Sequence, residues 1–415
     1  MIENQLTMNE KWKVDAEAYD NGAKVTTKYP QCDSCLYRVK GDALYCKKYV
    51  AERKPKEVLF AQKECFFYDP VDKLDKHFDS DIEKKMYGGV FGFVVGDMLG
   101  VPVEFTSRQE RDADQVREMR AYGTYHQPFG SWSDDTSFTL CLLEALSGED
   151  IIEKLKDNMI ACYSNGMFTP GGQLFDIGIS TRDAIVNMIS GEKPTECGGV
   201  LESDNGNGSL MRVLPLAFVR ERYNTQEYIK LVEDVSSVTH GHKRSKLACI
   251  LYVFFASNLY AGMDKEEALD SAIRIVINEC SAKYKTEWEH YRFVFDKSII
   301  KADRIQVRST GYVVDTLEAV IWSFFNNESF EETVLTAVNL GGDTDTIAAI
   351  VGGLAGIFYG YEKIPNGWIQ NMIRKEDIMN LCDKFYGAVT DDIMMTIKNE
   401  MDELLNELSG GKDGK

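Results

Sequence analysis

The stretch "GGVFGFVVGDMLG", Gly88 to Gly100, carries a glycine at every fourth position: Gly88, Gly92, Gly96 and Gly100. Residues four apart share one face of an α-helix, so the stretch reads as a helix with a strip free of side chains. Each such glycine lowers helix propensity by about 1 kcal/mol, so the strip needs a compensating reason: a second backbone packed against it, or a ligand brought close. Gly352, Gly356 and Gly360 repeat the spacing near the other end of the chain.

The same period runs through most of the 415 residues. From about Ser80 to about Leu408, apolar residues recur three and four apart, as in "FTLCLLEAL", "LACILYVFFASNLY" and "EETVLTAVNL", while the alternation of half-buried strands is scarce. Only nine prolines occur, which favours long helices over many short strands. The expected fold is all-α: a compact domain of ten or more helices over residues 80–408, without internal repeat. A small cysteine-containing module precedes it (1–79), and a glycine-rich charged tail expected to be disordered follows (409–415).

Ten cysteines divide between these parts. Cys141, Cys162, Cys197, Cys249, Cys280 and Cys382 are scattered singly through helical sequence, as buried thiols are. Cys32, Cys35, Cys46 and Cys65 crowd into the first module, the first two as a C-x2-C knuckle. Four thiolates there suit Zn²⁺ or an iron–sulfur cluster, with four reduced thiols as the plain alternative. A zinc module is favoured, because so short a segment has little core of its own.

With 47 basic and 66 acidic residues the formal charge is −19, so the average field repels phosphate backbones and anionic membranes. Bulk nucleic-acid binding is not expected; only the basic run "HKRSK", His242 to Lys246, suits a small phosphate ligand. The N-terminus lacks the apolar core of a signal peptide, and Leu247 to Leu259 is too short to span a bilayer. A cytoplasmic monomer without membrane attachment is the expectation.

Two acidic knots stand before apolar helices: "GSWSDDT", with Ser133, Asp134, Asp135 and Thr136, and "NLGGDTDT", with Asp343, Asp345 and Thr346. Capping of both helix starts is expected, since these side chains satisfy free backbone donors. A cap uses one or two such residues, however, and SDDT spends four. Brought together, the knots offer four carboxylates and two or three hydroxyls, hard oxygen donors that suit Mg²⁺, Mn²⁺ or Ca²⁺ and are enough for two metal ions. Asp343 and Asp345, two apart, converge only where the chain is not yet helical; Gly341–Gly342 permits that turn.

Six ordered segments, "GFVVGDMLGVPVEF", "WSDDTSFTLCLLEAL", "FDIGISTRDAI", "NGNGSLMRVLPLAF", "SSVTHGHKRSKLACILY" and "NLGGDTDTIAAIVGGLAG", resemble the motifs of the ADP-ribosylglycohydrolases, the dinitrogenase-reductase-activating glycohydrolase family. The resemblance spans about Lys84 to Gly360. It implies an all-helical domain with a dinuclear Mg²⁺ or Mn²⁺ centre that removes ADP-ribose from modified proteins or small-molecule conjugates by cleaving the C1″ glycosidic bond.

Residue by residue, it implies metal ligands at Ser133, Asp134 and Asp135 and at Asp343, Asp345 and Thr346. Ser133 departs mildly from the family's threonine but keeps the hydroxyl oxygen. Glu104 resembles the family's mobile or metal-proximal glutamate, and Asp176 the carboxylate that acts on the ribose. Either would serve as general base or proton relay. Asn207, Gly208, Ser209 and Arg212 resemble the loop that approaches substrate. His240 reads as ligand-proximal or structural, and "GHKRS" lacks the proline often found after it. The rival reading is a non-catalytic relative that binds ADP-ribose, or an immunity or regulatory protein that blocks an ADP-ribosyltransferase, with the cysteine module as its docking surface.

Overall fold

The computed structural model describes residues 76–390 and, earlier in the chain, the strands at 38–39 and 42–46. The chain divides into two units, Met1–His77 and Phe78–Lys415. In the first, β1 (Arg38–Val39) and β2 (Asp42–Cys46) form an antiparallel pair, with Arg38 opposite Cys46 and Val39 opposite Asp42. Cys46 therefore ends a strand. Cys32, Cys35 and Cys65 lie outside the described residues, as does the tail 409–415, and the expected metal module with them.

The second unit is mostly helical over its described residues. Its α-helices are α1 (Asp81–Gly100), α2 (Arg108–Ala113), α3 (Asp134–Ala145), α4 (Ile151–Asn165), α5 (Ile179–Ile189), α6 (Thr225–Ser237), α7 (Lys243–Tyr260), α8 (Lys265–Tyr284), α9 (Arg292–Phe295), α10 (Val313–Phe325), α11 (Phe330–Val338), α12 (Thr344–Tyr359) and α13 (Asn366–Gln370). A further helical run covers 375–390. Short 3-10 turns such as Leu214–Arg222 link them.

The glycine strips explain the centre of this unit. α1 begins at Ser80, whose hydroxyl accepts from Glu83 N at 3.1 Å, and is buried from Met86 to Gly100. It packs antiparallel along α12, backbone against backbone. A methyl group on Gly88 would overlap the carbonyl of Gly356; one on Gly92, that of Gly352; one on Gly96, that of Ala348. Nearly every side of both helices is buried, so their apolar residues need no amphipathic stripe. Asp81–Val103, of mean hydropathy 1.4, is long and apolar enough to cross a membrane, a length the sequence reading did not recognise; all of its most apolar window is buried inside the domain.

Around this pair, α7 is buried along most of its length from Arg244 to Leu259, and α10 from Val313 to Phe324. The six cysteines outside the first module are all free and buried, with Cys141 and Cys162 facing each other between α3 and α4.

Candidate metal centre

α1 and α12 end and begin at the same place. Gly100, the last residue of α1, lies so close to Asp345 that a methyl group there would overlap the Asp345 Cα. Thr344 Oγ1 donates to Gly100 O at 2.8 Å. Before α12, Gly341 and Gly342 hold φ of 72° and 74°, a left-handed pair that glycine adopts without strain. Phe105 N donates to Gly342 O and Gly342 N to Thr106 O, both at 2.8 Å, locking the segment after Glu104 to this turn. Arg108 adds a staple, its Nε donating to Leu340 O at 3.0 Å and its Nη2 to Val307 O at 2.6 Å.

The other knot is pinned from α1. Asp97, fully buried, accepts from Ser133 N at 2.9 Å, from Thr136 N at 3.0 Å and from Thr136 Oγ1 at 2.6 Å. Ser133 caps α3, its hydroxyl accepting from Asp135 N at 3.2 Å. The two knots then meet directly: Thr346 Oγ1 donates to Asp135 Oδ2 at 3.0 Å and lies 3.2 Å from its Oδ1.

Capping, expected at both starts, is made by a side chain only at Ser133. Asp343 stands at the N-cap of α12, yet its carboxylate makes no cap bond and accepts instead from Asn207 Nδ2 at 2.7 Å. Asp345 lies inside the first turn of α12, so of this pair only Asp343 precedes the helix.

Ligand-type atoms converge in two groups, Asp97, Asp135 and Asp345, and Glu104, Asp343 and Asp345; within each, the oxygens lie within 4.8 Å of one another. Glu104 Oε2 and Asp345 Oδ2 are buried without a hydrogen-bond partner. Burial, then Asp176 and Asp343 nearby, pushes the Glu104 carboxyl up to about 9. Burial likewise raises Asp97 and Asp176 to about 6. Asp134, Asp135 and Asp345 are driven well above the ordinary carboxylate range by burial and by one another's charge, and Asp343 is raised too. Buried carboxylates this close need protons or cations. The hard oxygen donors and the two orphaned atoms fit a hard divalent cation.

A cavity of about 550 Å³ opens over this cluster, lined by Glu104, Phe105, Asp134, Asp176, Asp343 and Thr346, by α5 residues Ile179 to Thr181, and by Asn207, Gly208 and His240; no lysine or arginine is among its described lining residues. Ser133, Asp135 and Asp345 are buried behind those groups.

The "NGNG" loop is placed differently residue by residue. Asn207 Nδ2 binds Thr316 Oγ1 at 2.9 Å as well as Asp343, so its amide fixes a carboxylate. Gly208 lies under the His240 ring, where a methyl group would meet Cε1 at 2.7 Å. Ser209 and Arg212 are fully buried and not in the lining. Arg212 donates to Gly208 O and, from Nη2 at 2.8 Å, to Val235 O, so it braces the loop from behind. His240, its Nδ1 2.8 Å from Thr239 Oγ1, is held neutral, lowered to about 3 by burial and then by Arg212. The basic run is spoken for in part: Arg244 pairs with Glu202 and Glu287, and His242 caps α7.

Three contributors escaped the sequence reading. Asp97 stood in the quoted glycine helix as one polar residue among apolar ones, a signal that was there to be used. Arg108 and Tyr125 carried none. Tyr125 OH donates to Asp176 Oδ1, and its ring packs against Phe105, next to Glu104.

Comparison with known proteins follows this geometry. The family profile described as ADP-ribosylglycohydrolase matches residues 79–393. The chain belongs to the ADP-ribosylglycohydrolase family. An ADP-ribosylarginine hydrolase, Tri1, from Serratia proteamaculans is 30% identical over 76% of this chain and 82% of its own length. Its namesake from Pseudomonas putida is 32% identical over 72% and 77%. The ADP-ribosyl-[dinitrogen reductase] glycohydrolase of Rhodospirillum rubrum is 28% identical over 71% and 92%. A solved chain titled an ADP-ribosylglycohydrolase-related protein complex superposes with a TM-score of 0.63 at 28% identity, covering 74% of this chain and 99% of its own. All of these ADP-ribosylglycohydrolase matches cover the greater part of their own lengths.

Proposed function

We propose that this chain is a divalent-metal-dependent hydrolase that cleaves the C1″ glycosidic bond of ADP-ribosylated substrates, with ADP-ribosylarginine as the first linkage to test, acting as a cytoplasmic monomer through a catalytic domain at 80–408. The observation that carries this reading is the meeting of the two acidic knots, Thr346 Oγ1 on Asp135, beneath a cavity bordered by Glu104 and Asp176. The names of the relatives supply the linkage.

Ser133, Asp134, Asp135, Asp343, Asp345 and Thr346 would hold two Mg²⁺ or Mn²⁺ ions. When bound, such ions supply Lewis acidity and a template for the ribose hydroxyls and a water. The protein groups do the rest. Departure of the C1″ substituent builds positive charge on the ribose, which the surrounding carboxylates stabilise. Glu104 and Asp176 at the cavity wall have raised affinity for a proton, which suits one of them to take it from the attacking water and deliver it to the leaving group. Asn207 holds Asp343 in place, and the half-buried Gly206 and Gly208 at the cavity wall would offer backbone amides to the diphosphate without a net positive charge. His240 stays neutral beside them.

The non-catalytic alternative is disfavoured because every carboxylate of both knots is present, with Asp135, Asp343 and Asp345 in the convergent groups and Asp134 at the cavity wall. Incubation with a panel of ADP-ribosyl conjugates, joined through arginine, serine, acetyl and base, with and without Mg²⁺ or Mn²⁺, tests the reading. Release from arginine only with a divalent ion is expected. Release from none of them would overturn it.

A further inference from the structure

Glu104 and Asp176 present themselves as alternative acid–base groups, but the loop between Tyr122 and Gln127 treats them as one. This loop is closed by Tyr122 N donating to Gln127 O at 2.7 Å. On one side it grips the Glu104 backbone: Thr124 Oγ1 donates to Glu104 O at 2.8 Å, and Thr124 N to Pro102 O at 3.2 Å. On the other side the neighbouring residue, Tyr125, donates its hydroxyl to Oδ1 of Asp176, which lines the same cavity as Glu104. The ring is held by Phe175 at 5.2 Å and Phe105 at 6.4 Å between centroids, the residues that precede Asp176 and follow Glu104.

Both acids also sit where the backbone is unusual. Asp176 itself has φ of 66°, and Phe105, beside Glu104, has φ of 62°. Neither is glycine, so each conformation persists only where its surroundings over-determine it. Tyr125 touches both segments, through its hydroxyl on Asp176 and its ring against Phe105.

We propose that Tyr125 is a positioning residue that holds the Asp176 carboxylate against Glu104, making the two acids a single acid–base unit. The inference rests on reading the cavity as the hydrolase site. Its chemistry requires only that the phenol keep donating to Asp176 while substrate enters; no covalent step passes through the ring.

The test is a double-mutant cycle of Tyr125→Phe and Asp176→Asn in the full chain, read with an ADP-ribosylarginine conjugate and Mg²⁺. Y125F keeps the ring packing, and its melting temperature checks the fold. We expect kcat to fall about tenfold or more with KM within about twofold, as misplacement of a reacting group produces. The double variant should be no slower than D176N alone. Losses that multiply independently, or a change confined to KM, would overturn the proposal. A crystal structure of Y125F separates the two readings. If wild type releases no ADP-ribose, the hydrolase reading fails. Positioning then stands if the Asp176 carboxylate of Y125F has moved away from Glu104, and falls if it keeps its wild-type place.

Discussion

Gly100 abuts Asp345 so closely that no β-carbon fits between them: the last residue of α1 rests on the backbone that carries a central carboxylate of α12. The helix pair that forms the core is thereby the frame of the candidate metal centre. A displacement along the glycine strip moves the Asp345 carboxylate.

This makes Gly100→Ala a test of site geometry and Gly96→Ala a test of core packing. Overpacking a tight core costs about 1–3 kcal/mol, and here the clash is with backbone, which yields least. Both variants should melt lower than wild type. G100A should also weaken Mg²⁺ or Mn²⁺ binding by calorimetry, while G96A, whose methyl would meet Ala348, should lose stability with a smaller loss of affinity. Gly148→Ala, with open space around it, is the control and should melt as wild type does.

Asp345→Ala removes the carboxylate that belongs to both convergent groups. Hydrolysis should fall about a hundredfold or more, the scale of losing a preorganised electrostatic group. Divalent-ion affinity should fall with it, while far-UV helicity stays near wild type, since Asp345 does not cap α12. Unchanged turnover at saturating Mg²⁺ would remove this residue from the site.

Much of this was legible in sequence because it is local. Glycines four apart announce a close helix contact, and hydroxyl–carboxylate knots ahead of apolar runs announce loop–helix junctions. Which helix meets which strip is a long-range fact that the shared spacing at Gly352 and Gly356 does not by itself give. Ser209 and Arg212 read as substrate-facing because motif spacing does not tell which side of a loop a side chain takes; both are buried away from the cavity lining. Tyr125 and Arg108 were silent because their roles rest on contacts across the fold: Tyr125 with Asp176, Arg108 with Val307 and Leu340.

The metal-free protein should lose stability as pH rises. Glu104 is raised from 4.5 to about 9 and Asp176 from 3.8 to about 6, so the folded chain binds these protons more tightly than the unfolded chain. The stabilisation is complete below the unfolded values and is lost as pH climbs through the window up to the folded ones. Melting temperature without divalent ions should therefore drop between about pH 4 and about pH 9. Saturating Mg²⁺ or Mn²⁺ should raise it more at the upper end, and binding should release protons, seen as a calorimetric heat that varies with buffer ionisation enthalpy. A metal-induced shift independent of pH would contradict the carboxylate cluster as the binding site.

Asp97→Asn tests the support beneath the first knot. The carboxylate accepts three hydrogen bonds, from Ser133 N, Thr136 N and Thr136 Oγ1, and a carboxamide of the same shape must turn its NH₂ toward one of those donors. A buried donor left facing a donor costs about 1–3 kcal/mol, so the variant should melt several degrees lower. Because those bonds fix Ser133 and the start of α3, metal affinity should fall about 10–100-fold, the usual effect of losing an outer hydrogen bond to a ligand. Calorimetric titration of D97N with Mn²⁺ measures this directly. A variant that melts lower but binds the ion as wild type does would confine Asp97 to the core; one that loses affinity without losing stability would make it a ligand in its own right.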